Sequence, residues 1–88
     1  MSDLDQVRKW YVYMLECADG SIYTGITNNL EARINKHNSG CGAKYTKGRN
    51  PVILKRTGEY ENRSLASKVE YGFKRLSREQ KLNLINNS

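Results

Sequence analysis

The stretch WYVYMLECADGSIYTGI, residues 10–26, decides the fold. Its first half, Trp10 to Cys17, is rich in aromatic and β-branched residues and predicts a strand. Asp19-Gly20 is a strong turn signal, and Ser21 to Ile26 predicts the returning strand of an antiparallel hairpin. Side chains alternate faces along a strand, so the length of the turn decides which tyrosines share a face. A two-residue turn sets Glu16 opposite Tyr23 and leaves Tyr13 on the other face. A three-residue loop, or a bulge, sets Leu15 opposite Tyr23 and brings both phenols to one side.

Working outward from the hairpin, Asn28 or Asn29 can cap a helix, and Asn28 with Glu31 has the spacing of a capping box. Leu30, Ile34 and the stem of Arg33 or His37 would line one face of it through about Asn38. Gly40, Gly42 and Gly48 break the next segment into a loop, and Pro51 precedes a third strand, VILKRTGEY. Asn62 or Ser64 can start a second helix, where Leu65, Ala66, Val69, Phe73 and Leu76 recur at helical spacing. Ser77 with Gln80 makes a capping box for a short final helix through about Asn86. The expected class is α+β: a small three-stranded antiparallel sheet flanked by helices, in the order β-β-α-β-α-α. Residues 1–88 read as one domain with its core at about 9–86, and residues 1–8 as a flexible polar lead-in.

A chain of 88 residues buries roughly 60–65% of its unfolded surface, so its core is thin but sufficient. No apolar run approaches the ~18 residues that span a bilayer, and MSDLDQVRK lacks the apolar stretch of a secretory signal. A cytoplasmic protein without a membrane partner is expected. Cys17, Cys41 and the lone His37 are too few for a disulfide framework or a structural zinc site. The formal net charge is +6. Seven basic residues fall between Ala32 and Gly58 with no acid among them, while the rest of the chain nets −1. A polyanion is the natural partner of such a segment, although a solvated face is its bland reading.

Tyrosines in strands are ordinarily packing residues. Here the spacing adds meaning. Tyr23 lies ten residues after Tyr13, Arg33 ten after Tyr23, and His37 four after Arg33, with Glu70 further on. On a helix Arg33 and His37 share a face. This constellation, from Trp10 to about Leu76, resembles the GIY-YIG nucleases. Tyr11-Val12-Tyr13 stands where that family has Gly-Ile-Tyr, and Tyr23-Thr24-Gly25 where it has Tyr-Ile-Gly. The segment with Arg33, His37-Asn38, Gly40, Gly42-Ala43 and Thr46 is similar to the branch of structure-specific resolving nucleases. It is most similar to the small single-domain bacterial members. Tyr11 in place of glycine and Thr24 in place of isoleucine are departures, and Asn83 is a candidate for an asparagine that often follows the family's glutamate.

The resemblance implies that Tyr13 or Tyr23 positions or deprotonates a water and that Arg33 steadies the phenolate and pairs with phosphate. His37 would exchange a proton or touch phosphate. Glu70 would hold Mg²⁺ or Mn²⁺, since magnesium often takes only one or two protein carboxylates. The bland alternatives are a surface arginine, a satisfied helix histidine and a Glu70–Lys74 ion pair four residues apart. Lys36, Lys44, Tyr45, Lys47 and Arg49 are candidates for tracking a nucleic-acid backbone, most naturally DNA. The leading expectation is therefore a metal-dependent endonuclease domain acting on DNA, including branched or single-stranded forms. The alternatives are a non-cleaving nucleic-acid-binding module of the same fold and an interaction domain using Trp10 and exposed tyrosines. No obligate protein partner is evident. The nuclease reading requires the three-residue loop or bulge.

Overall fold

A computed structural model describes residues 9–44 and 46–86. The elements are β1 (Trp10–Glu16), β2 (Ile22–Thr27), α1 (Leu30–Asn38), β3 (Ile53–Tyr60), α2 (Arg63–Lys74) and α3 (Arg78–Asn86). This is the expected α+β order. The sheet runs β2-β1-β3 with both pairings antiparallel.

The hairpin takes the longer turn. Leu15 faces Tyr23 and Tyr13 faces Gly25. The amide of Cys17 donates to the Ser21 carbonyl at 2.9 Å, which leaves Ala18, Asp19 and Gly20 as a three-residue loop. Gly20 sits at φ +86°, the left-handed conformation that such loops need at their last residue. The Asp19 carboxylate accepts from the Ser21 amide at 3.0 Å and steadies the turn. Tyr13 and Tyr23 therefore lie on one face of the sheet.

Asn29 rather than Asn28 caps α1. Its side chain accepts from the Ala32 amide at 3.2 Å, so the helix begins at Leu30. Asn62 caps α2 through the Leu65 amide at 2.9 Å. Ser77 and Gln80 close the expected capping box at 3.2 and 2.9 Å. Leu65, counted as apolar spacing on α2, is exposed, and Ala66 is the fully buried residue of that helix.

Two small apolar clusters flank the central strand. On one side Tyr13, Leu15, Cys17 and Val52 meet Tyr23, Leu30, Ile34 and Leu54. On the other, Met14, Ile22 and Ile85 meet Phe73, Leu82 and Leu84. The β1–β3 register slips between Met14 and Leu15, which face Arg56 and Leu54 respectively and leave Lys55 as the extra residue. That bulge turns Leu54 toward the tyrosine side. Among the described residues, no helix is long and apolar enough to cross a membrane.

Candidate active site

The tyrosine face carries a cluster of polar groups in an otherwise apolar layer. Tyr13 is on β1, Tyr23 on β2, and Arg33 and His37 on α1, one helical turn apart. The three rings form a triangle. Their centroids stand 6.2 Å apart for Tyr13–Tyr23, 5.9 Å for Tyr13–His37 and 5.2 Å for Tyr23–His37. Tyr13 Oη lies 3.0 Å from His37 Nε2 and accepts from Arg33 Nε at 3.4 Å. Tyr13 and His37 are buried, while Tyr23 and Arg33 are half-buried and reach the surface.

Burial pushes the Tyr13 hydroxyl up to about 12, against the opposing pull of the Arg33 hydrogen bond. The charges of Tyr23 and Glu70 add to that rise, so Glu70 is near enough to be felt at the phenol. Sequence reasoning cast Arg33 as the cation that favours a phenolate. At Tyr13 it acts in that direction, and desolvation outweighs it. Arg33 is itself raised, first by the Tyr13 hydrogen bond and to a smaller degree by Tyr23, so the guanidinium serves both phenols. His37 is held below its usual value by burial first and by Arg33 second, which keeps the imidazole neutral.

Glu70 lies on α2 with a side chain 21% exposed and pairs with Lys74 at 3.2 Å. The ion pair anticipated as the bland alternative is thus formed. Among the described residues there is no group of three or more His, Cys, Asp or Glu that would make a multi-ligand metal centre. The donor set near the phenols is one carboxylate, which suits a hydrated Mg²⁺ completed by substrate phosphate and does not suit zinc.

Of the basic candidates, Lys36 joins Arg33, Thr27, Asn29 and Ala32 around a concavity of about 250 Å³. Lys44 and Lys47 are exposed in the loop after α1. Arg49 is turned toward the hairpin, where its Nε meets Asp19 at 3.2 Å and its carbonyl accepts from Ala18. Tyr45 lies outside the described residues. A second concavity, about 330 Å³, brings Lys74 and Lys81 against Tyr23, Ile22 and Thr24. Those two lysines lie outside the basic stretch in the sequence and come near Tyr23 only through the packing of α2 and α3.

A family model described as the GIY-YIG catalytic domain matches residues 9–83. The chain belongs to the GIY-YIG family. Its GIY-YIG relatives include the UPF0213 protein CPE1444 of Clostridium perfringens, 59% identical over 75 residues that cover 85% of this chain and 81% of that one. A UPF0213 protein of Halobacterium salinarum is 49% identical over 71 residues, covering 81% of this chain and 92% of the relative. The solution NMR structure of the UPF0213 protein BH0048 from Bacillus halodurans is similar at a TM-score of 0.60 and 48% identity, covering 91% of this chain and 85% of that one. The solution NMR structure of EF2693 from E. faecalis is similar at a TM-score of 0.62 and 47% identity, covering 90% and 84%.

The GIY-YIG signature has a steric basis here. A Cβ on Gly25 would lie 2.6 Å from Tyr13 Oη, 2.7 Å from its Cζ and 3.0 Å from a Tyr23 ring carbon. The glycine of the second motif is thus the space into which the first motif's tyrosine lies. Other supporting residues carry no signal in composition or periodicity. The Asn38 side chain accepts from the Val52 amide at 2.7 Å and donates to its carbonyl at 3.3 Å, tying the end of α1 to the far end of the loop. Gly42 passes so close to His37 that a Cβ would run into Nδ1, Cγ and Cα of that residue. Thr46, fully buried, lies 2.7 Å from His37 Nδ1 through its Oγ1. Gly42 and Thr46 belonged to the pattern that carried the family resemblance, but their roles depend on how the loop folds back.

Proposed function

We propose that the domain is a metal-dependent endonuclease that hydrolyses DNA phosphodiester bonds, with branched and single-stranded forms among its substrates. The observation that carries this reading is the meeting of Tyr13, Tyr23 and Arg33 from three elements, with the charge of Glu70 felt at Tyr13. Hydrolysis needs an oriented water and stabilisation of charge on the phosphoryl oxygens. Tyr23, the phenol that reaches the surface, would orient and deprotonate the water. Arg33 would steady the Tyr23 phenolate and pair with the phosphate. Tyr13, buried and held high, would anchor Arg33. Glu70 would hold Mg²⁺ or Mn²⁺, which supplies Lewis-acid charge to the phosphate when bound. Lys36, Lys44, Tyr45, Lys47 and Arg49 would follow the backbone, and Lys74 and Lys81 extend that basic surface on the other side of Tyr23. A cytoplasmic location suits such a substrate.

The reading is tested on a panel of branched, single-stranded and duplex DNA with Mg²⁺ or Mn²⁺. Nicking is expected, with kcat lower by roughly 100–1,000-fold in Arg33→Ala, the scale of losing one donor to a developing oxyanion. A comparable loss is expected in Glu70→Gln. Cleavage that persists in both variants overturns the assignment and marks a contaminant. The second reading, a binding module that does not cleave, draws on the formed Lys74–Glu70 ion pair. It requires DNA affinity that falls steeply with salt and yields no products.

A further inference from the structure

His37 is the only histidine in the chain. It is fully buried, and both its ring nitrogens have partners, Tyr13 Oη at 3.0 Å and Thr46 Oγ1 at 2.7 Å. Neutral imidazole carries one N–H, so one nitrogen donates and the other accepts. The neighbours decide which. The Thr46 hydroxyl has a single proton, and its oxygen also stands 3.0 Å from the Ala43 carbonyl, which can only accept. If that proton goes to Ala43, Thr46 Oγ1 accepts from Nδ1–H and Nε2 is left bare to accept from Tyr13. The Tyr13 oxygen then keeps a lone pair for the Arg33 Nε–H at 3.4 Å. Every donor points the same way: Arg33 Nε–H to Tyr13 O–H, to His37, to Thr46 O–H, to the carbonyl of Ala43.

The reverse order is worse at two places and better at one. It sets Thr46 Oγ1 and the Ala43 oxygen lone pair to lone pair at 3.0 Å. It makes the Tyr13 oxygen accept from both Arg33 and His37, so the buried phenolic proton needs a further acceptor. In return it gains only the Ala43 amide on Nδ1 at 3.5 Å, a distance at which little hydrogen-bond energy remains.

We infer that Thr46 is a positioning residue, which fixes His37 as the Nδ1–H tautomer and through Tyr13 holds the Arg33 guanidinium in place. The loop is built for this task. The amide of Thr46 donates to the Ala43 carbonyl at 3.1 Å, so one turn of chain carries both the hydroxyl and its acceptor. The close approach of Gly42 presses that turn onto the imidazole. The inference rests on the proposed function for its catalytic meaning only, because the tautomer is a property of the resting protein.

The test uses the full chain labelled with ¹⁵N. A two-bond ¹H–¹⁵N spectrum at pH 7.5 reads the single imidazole without assignment ambiguity. The expected pattern is a protonated Nδ1 and a bare Nε2, retained in Thr46→Ser and lost toward the Nε2–H form in Thr46→Val. The amide spectrum reports whether each variant is folded. A wild-type ring found as Nε2–H overturns the inference, as does a folded Thr46→Val protein with the wild-type pattern. If the valine variant does not fold, the wild-type and serine spectra still decide. On any DNA the wild type nicks, Thr46→Val should lower kcat by about 10–100-fold, by analogy with the loss of the hydrogen-bond partner on the far nitrogen of a metal-bound histidine. KM should hold and Thr46→Ser should recover the rate. Absence of nicking by the wild type sinks the nuclease reading while leaving the tautomer result intact, so the two failures are distinguishable.

Discussion

Tyr13 and Met14 are neighbours on β1, each 1% exposed, and they face opposite sides of the same sheet. Met14 enters a layer with Ile22 and Ile85, where any shape of similar volume would serve. Tyr13 enters a layer in which its hydroxyl is held by His37 and Arg33. Equal burial thus conceals two different constraints. One side of the sheet is specified by volume and the other by the direction of hydrogen bonds. Both sides bury apolar residues, and the tyrosine side also uses part of that stability to keep charged and phenolic groups in one place.

Truncation gives the sharpest form of this contrast. Met14→Ala should cost about 2–5 kcal/mol in denaturant unfolding, from lost burial and an unfilled cavity. The folded fraction should keep its turnover per molecule. A large fall in that turnover would break the division of labour. On the other side, Gly25→Ala adds one methyl where Tyr13 and Tyr23 already meet. A cost of about 1–3 kcal/mol is expected from overpacking. The proposed DNA cleavage should fall by more than the stability loss explains, because both phenols must move. A variant with unchanged unfolding and unchanged cleavage would show that the glycine is not the packing requirement described above.

The apolar side has one flaw. Thr24 is 2% exposed and its Oγ1 has no hydrogen-bond partner among the described residues. Thr24→Val should therefore raise stability, by about 1 kcal/mol, since a buried hydroxyl without a partner carries its desolvation cost uncompensated. A loss of stability on that change would mean that the hydroxyl is satisfied in solution. The smallest effect concerns pH. His37 is held below its ordinary value of about 6.5 in the fold. Below that pH the unfolded chain binds a proton that the native state resists, so this group removes stability progressively as the solution is acidified. An NMR titration of the single histidine should find it neutral at pH values where a free imidazole is charged. A midpoint at or above the free value would contradict the wiring around the ring.

Most of the architecture was legible in the sequence because it rests on local chemistry. The aromatic strand, the Asp19-Gly20 turn and the Ser77-Gln80 box each announce themselves within a few residues. The length of the hairpin loop was left open, because Asp19-Gly20 suits either turn and only pairing of Cys17 with Ser21 selects three residues. The helix cap was left open between Asn28 and Asn29 for a similar reason, since adjacent asparagines offer the same side chain, and the fold selects Asn29. Tyr13, Tyr23, Arg33 and His37 were visible through their spacing and family likeness. Their inequality was invisible. That Tyr13 is deep and Tyr23 superficial, and that Arg49 is engaged with Asp19, depends on which atoms face water. The approach of Lys74 and Lys81 to Tyr23 was missed because a lysine on an amphipathic helix looks the same whether it borders a phenol or open solvent.

The Asn38 clamp has a further consequence for how such a domain can diversify. It fastens the two ends of the segment between α1 and β3 together, while the chain between them folds back on the imidazole through Gly42 and Thr46. Lys47 and Gly48, just beyond the buried Thr46, are exposed. The side chain of Lys47 can be exchanged without touching the phenol layer, as a tool bit is changed in a fixed chuck. A small fold of this kind can vary what it presents at that position while the packing around its phenols stays put.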